Sequence, residues 1–193
     1  MSRVFIFSAP SGSGKTTILK KIFEKMPDAF GFSVSATNRP AREGEKDGRD
    51  YYFLSTEEMK RKIENGEFLE WEQVYEGRYY GTPKSEPDRI ASQGRIAVFD
   101  VDVKGGINIK KLLKDDAFAI FIMPPSVEEL RKRLQGRNTE TEADLQKRLA
   151  RAEMEIGLSK EFDKVVLNDD LDTAVLQVEQ AIREQIKKWN IKQ

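Results

Sequence analysis

Residues 9–16 form the segment whose residue types and spacing best fit a chemical role. They read Ala9-Pro-Ser-Gly-Ser-Gly14-Lys15-Thr16, which matches G-x-x-x-x-G-K-[ST] except that alanine replaces the first glycine. In such a loop the backbone N–H groups surround a phosphate, and the N-terminus of the following helix attracts the same negative charge. The lysine reaches the β- and γ-phosphates and the hydroxyl binds Mg²⁺. The segment therefore predicts a site for a nucleoside triphosphate and its magnesium ion.

An apolar run that ends in carboxylates supplies a partner for this loop. Ile96-Ala-Val-Phe-Asp100 is followed two residues later by Asp102. Because side chains alternate along a strand, both carboxylates are expected on the same side of its end. They could orient magnesium-bound water, an arginine or a phosphoryl acceptor. We expect Asp100 to act on the magnesium ion at Thr16 through water.

The chain contains no histidine. This excludes Ser–His and Cys–His catalytic arrangements and the commonest general base near neutral pH. Transfer to a phosphate acceptor needs no such base, because the second pKa of a phosphate monoester is about 6 and the acceptor is already a dianion at pH 7. Catalysis then depends on positioning and on neutralising charge.

Composition and charge narrow the classes of partner. Lys plus Arg and Asp plus Glu both number 33, so no basic excess indicates a nucleic acid or a membrane surface as a partner. No apolar run approaches the roughly 18–20 residues of a membrane helix, and the first eight residues are too short for a signal peptide. The absence of cysteine excludes disulfides and zinc–thiolate sites. We expect a cytoplasmic protein that holds anions with local charge clusters, and the sequence identifies no protein partner.

The elements that must position these residues alternate between strands and helices. Continuous apolar runs predict buried strands, and apolar residues at helical spacing predict helices. This alternation is typical of a parallel α/β sheet, whereas residues 34–94 break it with short strands and turns and predict a small mixed insertion. Strands are predicted over residues 3–8, 32–37, 51–54, 68–74, 79–80, 96–101, 118–123 and 164–167, and helices over 15–26, 55–65, 107–113, 126–134, 145–156 and 171–186.

Motifs along nearly the whole chain resemble those of guanylate kinase, whereas the Asn-Lys-x-Asp motif of GTPases is absent from the sequence. The resemblance implies transfer of the γ-phosphoryl group of ATP to GMP, and also to dGMP, with Mg²⁺ as cofactor. The matching segments are Phe32-Ser-Val-Ser-Ala-Thr-Asn-Arg-Pro-Ala-Arg-Glu-Gly-Glu45, Gly48-Arg-Asp-Tyr-Tyr-Phe53, Glu67-Phe-Leu-Glu-Trp71, Tyr79-Tyr-Gly-Thr82, Asp100-Val-Asp102, Pro124-Pro-Ser-Val-Glu128, Leu134-Gln-Gly-Arg-Asn-Thr-Glu-Thr-Glu142 and Asn168-Asp-Asp170.

The resemblance also implies how the chain is divided. It predicts a P-loop NTPase-type parallel sheet flanked by helices, with a mixed α+β insertion that binds the monophosphate and a helical lid. A single domain over residues 1–193 would contain a core of residues 1–33, 95–133 and 158–193, an insertion of residues 34–94, and a lid of residues 134–157.

Guanine presents two adjacent donors, N1–H and the N2 amino group, which one carboxylate can accept together. Glu70 stands at the family's position for that carboxylate. Ser35 and Thr82 stand where hydroxyls bind O6 and N7, although serine is common at the second position. Unpaired polar groups are costly, so such a site rejects adenine, whose N1 is an acceptor.

The resemblance assigns the acceptor phosphate to two arginines and two tyrosine hydroxyls, since the arginine fork suits a phosphate. Three further arginines resemble lid residues that stabilise charge during transfer, and Asn168 resembles the residue near the adenine ring. The expected catalytic residues are Lys15, Arg39, Arg133, Arg137 and Arg148; the ATP-binding residues are Ala9, Pro10, Ser11, Gly12, Ser13, Gly14, Lys15, Thr16, Thr17 and Asn168; and the GMP-binding residues are Ser35, Arg39, Arg42, Tyr51, Glu70, Tyr80, Thr82, Asp100 and Asp102.

Two other functions stay open on the sequence alone. One is a guanylate-kinase-like module that recognises peptides without catalysis, although such modules typically have degraded phosphate loops. The other is a kinase for a different monophosphate, which Glu70, Ser35 and Thr82 argue against.

Overall fold

The structure is a computed structural model that describes residues 2–135 and 142–191 of the chain. In chain order its elements are β1 (Val4–Ser8), α1 (Lys15–Lys25), β2 (Phe30–Phe32), β3 (Ala36–Thr37), β4 (Tyr52–Phe53), α2 (Thr56–Glu64), β5 (Phe68–Tyr75), β6 (Arg78–Pro83), α3 (Glu86–Ala91), β7 (Ile96–Asp100), α4 (Val103–Leu113), β8 (Ala117–Met123), α5 (Val127–Gln135), α6 (Glu142–Gly157), β9 (Lys164–Leu167) and α7 (Leu171–Lys188), with 3-10 turns at Lys114–Asp116 and Ser159–Glu161.

Five parallel strands form the main sheet in the order β2-β7-β1-β8-β9, which confirms the predicted α/β fold. Every residue of β1 is buried. Its apolar run is continuous because helices cover both faces of the sheet, with α1 and α7 on one face and α4 on the other. The strands β1 and β7 are neighbours, and Phe7 lies opposite Asp100. The loop after β1 and the carboxylates after β7 therefore meet at one edge.

A second sheet has the strand order β4-β3-β6-β5 and lies entirely within residues 36–83. The helix α2 covers it and starts with the predicted capping box, in which Ser55 Oγ accepts from the Glu58 amide and Glu58 accepts from the Ser55 amide. The buried side chains of Met59, Ala36 and Phe68 form its small core.

The single strand predicted over residues 32–37 is wrong. Its first residue, Phe32, ends β2 in the main sheet, whereas Ala36 and Thr37 form β3 in the second sheet. The chain crosses between the two sheets at residues 33–35. Local alternation could not show this crossing, because Val34 in the middle of it is also buried.

The helix α3 was not predicted, and it anchors the end of the insertion. Ile90 packs into the main core. Glu86 is fully buried. Its carboxylate accepts hydrogen bonds from the Val34 amide at 2.6 Å and the Tyr52 hydroxyl at 2.9 Å, and Arg89 donates two more. One buried carboxylate thus ties the crossing segment to the second sheet.

The helices α5 and α6 pack against each other through a separate leucine-rich cluster of Leu130, Leu134, Leu145 and Leu149. They bracket residues 136–141, which lie outside the described residues. Within the part of the chain that the structure describes, no helix is both long and apolar enough to cross a membrane.

Candidate functional site

The loop between β1 and α1 has the geometry of an anion cradle. Gly14 is the N-cap of α1 and has a left-handed backbone with φ of 89°, a conformation that favours glycine. The amide of Ser13 donates to the carbonyl of Pro10 at 3.1 Å and closes the turn. The hydroxyl of Ser13 is buried and has no hydrogen-bond partner among the described residues. A buried orphan hydroxyl in a phosphate loop calls for a ligand oxygen.

Lys15 lies where the two central strands end. Its Nζ forms an ion pair with Asp100 and donates to the carbonyl of Val101 at 3.1 Å. These contacts hold the ammonium beside the loop. The side chains of Thr16 and Thr17 follow on the first turn of α1 and are exposed.

A cavity of about 610 Å³ opens over the loop and brings the predicted triphosphate residues together. It unites the phosphate loop, the end of β7 and one face of α6. Its lining consists of Ala9, Pro10, Ser11, Gly12, Ser13, Gly14, Lys15, Thr16, Thr17, Asp100, Val101, Asp102, Arg148, Arg151 and Glu155.

Asn168, predicted near the adenine ring, follows the edge strand β9 and is buried. Its Nδ2 donates to the carbonyl of Ser13 at 2.7 Å. A Cβ at Gly14 would lie 2.3 Å from the same Nδ2, so glycine is required there on steric grounds as well. Asn168 therefore locks the phosphate loop to the last strand of the sheet.

The residues present fit a magnesium ion that is held mainly by phosphates and water. Thr16 and Asp100 both line the cavity. Among the described residues no group of three or more His, Cys, Asp or Glu side chains could hold a metal by itself. Mg²⁺ usually keeps several waters and takes one or two protein ligands plus substrate phosphates, and this donor set matches that habit.

The predicted base-reading carboxylate lies on the second sheet. Glu70 on β5 stands opposite Thr82 on β6, and the Thr82 hydroxyl donates to Glu70 Oε1 at 2.7 Å. Burial raises the pKa of Glu70, and the hydrogen bond from Thr82 opposes this rise. Ser35 lies in the crossing segment, and its carbonyl accepts from the Tyr52 amide at 2.9 Å.

The N-terminus of α4 brings the two halves of the site together at Gly105. A Cβ at this position would lie 3.2 Å from Glu70 Oε2 and 3.2 Å from Asp102 Oδ1. Asp102 is the N-cap of α4, and its Oδ1 accepts from the Gly105 amide at 2.7 Å. Two carboxylates thus converge beside one glycine, and Asp102 also lines the triphosphate cavity.

Arg39 lies in an aromatic and anionic cage. Its guanidinium donates to both oxygens of Glu45 at 2.6 Å and packs 4.9 Å from the ring centre of Tyr51. The ring of Tyr51 contacts that of Tyr80, with centroids 6.0 Å apart. The hydrogen bonds from Arg39 hold the pKa of Glu45 at about 2. Arg42 is exposed, and its backbone amide also donates to Glu45, at 2.7 Å.

Comparison with known proteins decides the family. A family model described as guanylate kinase matches residues 1–185. The chain belongs to the guanylate kinase family. It is 48% identical over 188 residues to the guanylate kinase of Porphyromonas gingivalis, covering 97% of this chain and 100% of that protein. It is also 48% identical over 183 residues to that of Bacteroides fragilis, covering 95% and 89%. The crystal structure of guanylate kinase from Anaplasma phagocytophilum superposes with a TM-score of 0.70 at 31% identity, covering 95% of this chain and 86% of that one.

The resemblance to guanylate kinase predicted three lid arginines at the triphosphate, but the structure does not place all three at the cavity. Arg148 on α6 lines the cavity. Arg133 on α5 is paired with Glu129 one turn earlier, at 3.3 Å, and is not part of the cavity lining. Arg137 lies outside the described residues.

Three charged residues at this site, Glu45, Arg151 and Glu155, were not predicted from the sequence. Glu45 lies within the motif that carried the resemblance, but its role as the partner of Arg39 needed the fold. Arg151 lines the cavity and contacts both Asp102 and Glu155. It follows Arg148 by three positions, a spacing that puts both on one helix face and could have identified it.

Proposed function

We propose that this chain transfers the γ-phosphoryl group of ATP to GMP, giving ADP and GDP, and that it also accepts dGMP. The observation that carries the proposal is the convergence of Glu70 and Asp102 beside Gly105, next to a phosphate-loop cavity that Asp102 also lines. Membership of the guanylate kinase family supports the same reaction. With this reaction the protein would act in purine nucleotide metabolism.

In this proposal, the second sheet reads guanine. Glu70 accepts N1–H and one hydrogen of the N2 amino group, and Asp102 accepts the other hydrogen. The hydroxyls of Ser35 and Thr82 would donate to O6 and N7. The single O–H of Thr82, which donates to Glu70 in this structure, would turn to the base when GMP binds. A base that lacks these donors would leave partly buried carboxylate oxygens without the donors of guanine, which is costly.

The acceptor phosphate would bind Arg39 and Arg42 with the hydroxyls of Tyr51 and Tyr80. Both Nη atoms of Arg39 already donate to Glu45, and Nη1 also donates to the Pro40 carbonyl, so a phosphate would approach the guanidinium from its Nε side, together with Tyr80. Positioning of this kind removes much of the entropic cost of transfer.

ATP would lie on residues 9–17, with its β-phosphate at the loop amides and the Ser13 hydroxyl. Lys15 neutralises the β- and γ-phosphates. Thr16, with Asp100 through water, would hold Mg²⁺, which when bound neutralises charge on the transferring phosphoryl group.

The proposed division of the chain is a core of residues 1–33, 95–133 and 158–193, an insertion of residues 34–94, and a lid of residues 134–157. Closure of insertion and lid would exclude water, so that the phosphoryl group goes to GMP rather than to hydrolysis. On closure, the triphosphate would be approached by Arg133, Arg137 and Arg148. We expect the enzyme to be cytoplasmic.

A coupled ADP-release assay with ATP and Mg²⁺ tests the reaction. GMP, AMP, CMP and UMP are compared as acceptors. A large preference for GMP is expected. Equal background release with all four acceptors would overturn the proposal and favour a binding module.

The variant Lys15→Ala tests the phosphate loop. It should abolish transfer and leave thermal unfolding nearly unchanged. Lys20→Ala is the matched control, because Lys20 is exposed on the same helix α1. Full activity of Lys15→Ala would remove Lys15 from the mechanism.

A further inference from the structure

Arg151 bridges the helix α6 and the acceptor site. Its Nε donates to Glu155 Oε1 at 2.8 Å, and its Nη2 donates to Asp102 Oδ2 at 3.2 Å. Glu155 lies one turn further along α6 and only 5% of it is exposed. The buried carboxylate therefore fixes the guanidinium in the orientation that meets Asp102.

Each oxygen of Asp102 has its own donor. Oδ1 accepts from the Gly105 amide at 2.7 Å, and Oδ2 accepts from Arg151. A carboxylate has about four lone-pair sites, so each oxygen keeps room for one more donor. The two contacts orient the carboxylate without filling it.

A third carboxylate, that of Glu72, adds negative charge near Asp102, which the guanidinium of Arg151 offsets. Glu72 follows Glu70 on the same face of β5, and the neighbouring Asp102 raises the pKa of Glu72 through a hydrogen bond and through charge repulsion. The positive charges of Arg151 and Lys104 oppose that rise. When Glu72 and Asp102 are both ionised they repel each other, and the positive charge of Arg151 offsets this repulsion.

We propose that Arg151 is a positioning residue for guanine recognition: it holds Asp102 ready to accept the N2 amino group of the acceptor base. The inference rests on the proposed function. It makes a residue of the lid helix a determinant of base selectivity, because Arg151 acts on the base only through Asp102.

The ratio of kcat/KM for GMP to that for IMP isolates this role. IMP carries hydrogen in place of the 2-amino group, so it gains nothing from an oriented Asp102. Arg151→Gln should lower the ratio about tenfold, the size expected for one charge-assisted hydrogen bond, mainly through a higher KM for GMP. Arg151→Lys keeps the charge but loses the rigid planar fork that directs separate N–H groups at Glu155 and Asp102, and it should recover part of the ratio.

Arg183→Gln is the matched control. Arg183 also pairs with a glutamate one turn away on its own helix, and its side chain is 48% exposed against 53% for Arg151. Its partner Glu179 lies on α7, away from the cavity lining. The GMP to IMP ratio of this variant should equal that of the unmodified protein.

Loss of Arg151 leaves Glu155 buried without its partner, which could impair folding. The double variant Arg151→Gln/Glu155→Gln removes that charge and should show the same fall in the ratio. Equal losses for GMP and IMP, or an unchanged ratio, in either variant would overturn the inference while the unmodified protein still prefers GMP. Failure of the unmodified protein to phosphorylate GMP would instead overturn the proposed function.

Discussion

The pKa values of two carboxylates, Glu70 and Glu45, are shifted in opposite directions by their surroundings. Burial raises the pKa of Glu70. Hydrogen bonds from Arg39 and from the Arg42 amide lower that of Glu45. The first carboxylate is held in a pocket where donors of the base would stabilise its charge, and the second keeps its charge to hold an arginine. The same residue type thus has a raised pKa where we propose that it recognises the base and a lowered pKa where it pairs with an arginine.

Glu70→Gln should raise the KM for GMP roughly a hundredfold, because its amide turns a donor toward the donors of guanine. The KM for ATP should stay within about twofold, since Glu70 is not part of the cavity lining. Steady-state kinetics with each substrate varied in turn measure both values. Glu57→Gln on α2 is the exposed control. Unchanged use of GMP would show that Glu70 does not read the base.

Glu45→Gln should raise the KM for GMP about tenfold with little change in kcat, because Arg39 loses its charged partner. Steady-state kinetics with varied GMP measure this change. Removing the tyrosine hydroxyl at position 52, by Tyr52→Phe, is a control for the same sheet, since that hydroxyl contacts Glu86 instead. An unchanged KM for GMP in Glu45→Gln would mean that Arg39 needs no such support.

The same pair should leave a pH signature in stability. The pKa of Glu45 is about 2 in the folded protein against a usual value of 4.5. Its stabilising contribution is therefore fully present above pH 4.5 and is lost as the pH falls toward 2. In urea unfolding, the difference in free energy between the unmodified protein and Glu45→Gln should be constant from pH 7 to pH 5 and should shrink below about pH 4.5. A difference that persists at pH 2 would contradict the pairing.

At the scale of elements, prediction succeeded where burial is regular. The strand β9 was predicted with its observed bounds, and the capping box of α2 marked that helix correctly, because both signals are local. The helix α3 was missed because it has only six residues and because Glu86, a residue type usually found at the surface, is fully buried in it. The contact of Arg151 with Asp102 joins residues 49 positions apart, and no local pattern marks it.

The close approach of α4 to Glu70 gives a prediction for this helix. Gly105→Ala should raise the KM for GMP severalfold, because the new methyl group would press on Glu70 and Asp102. Gly157→Ala at the end of α6 is the matched control, since no atom lies within 4 Å of its Cβ position. Kinetics and thermal unfolding of both variants measure the effect. Equal KM values for GMP in the two variants would show that the site tolerates an added methyl group beside Glu70 and Asp102.

At the scale of the whole molecule, the triphosphate site depends on both ends of the chain. The phosphate loop follows the first strand of the chain. Asn168, directly after the last strand, donates a hydrogen bond to the carbonyl of Ser13 in this loop. Most of the residues that we propose to bind GMP lie in between, in a segment whose sheet shares no strand with the main sheet. Substrate sites are thus placed by elements from distant parts of the sequence.

Asn168→Ala should raise the KM for ATP about tenfold and lower the free energy of unfolding by about 1–3 kcal/mol, because the buried Ser13 carbonyl loses its donor. Kinetics with varied ATP and urea unfolding measure the two effects. Asn65→Ala is the control, since it removes an exposed amide that donates to Glu67. An unchanged KM for ATP would mean that the loop keeps its shape without this bond.

The bond from Asn168 to Ser13 also sets an order in time, because it joins residues 155 positions apart. A ribosome that adds about 5–20 residues per second needs roughly 8–30 s to make that stretch. During this interval the growing chain contains the phosphate loop but not yet Asn168, whose side chain donates to it. The loop is completed only after the acceptor site and the lid helix have been synthesised. ATP binding that depends on this hydrogen bond is therefore expected only after residue 168 has been synthesised.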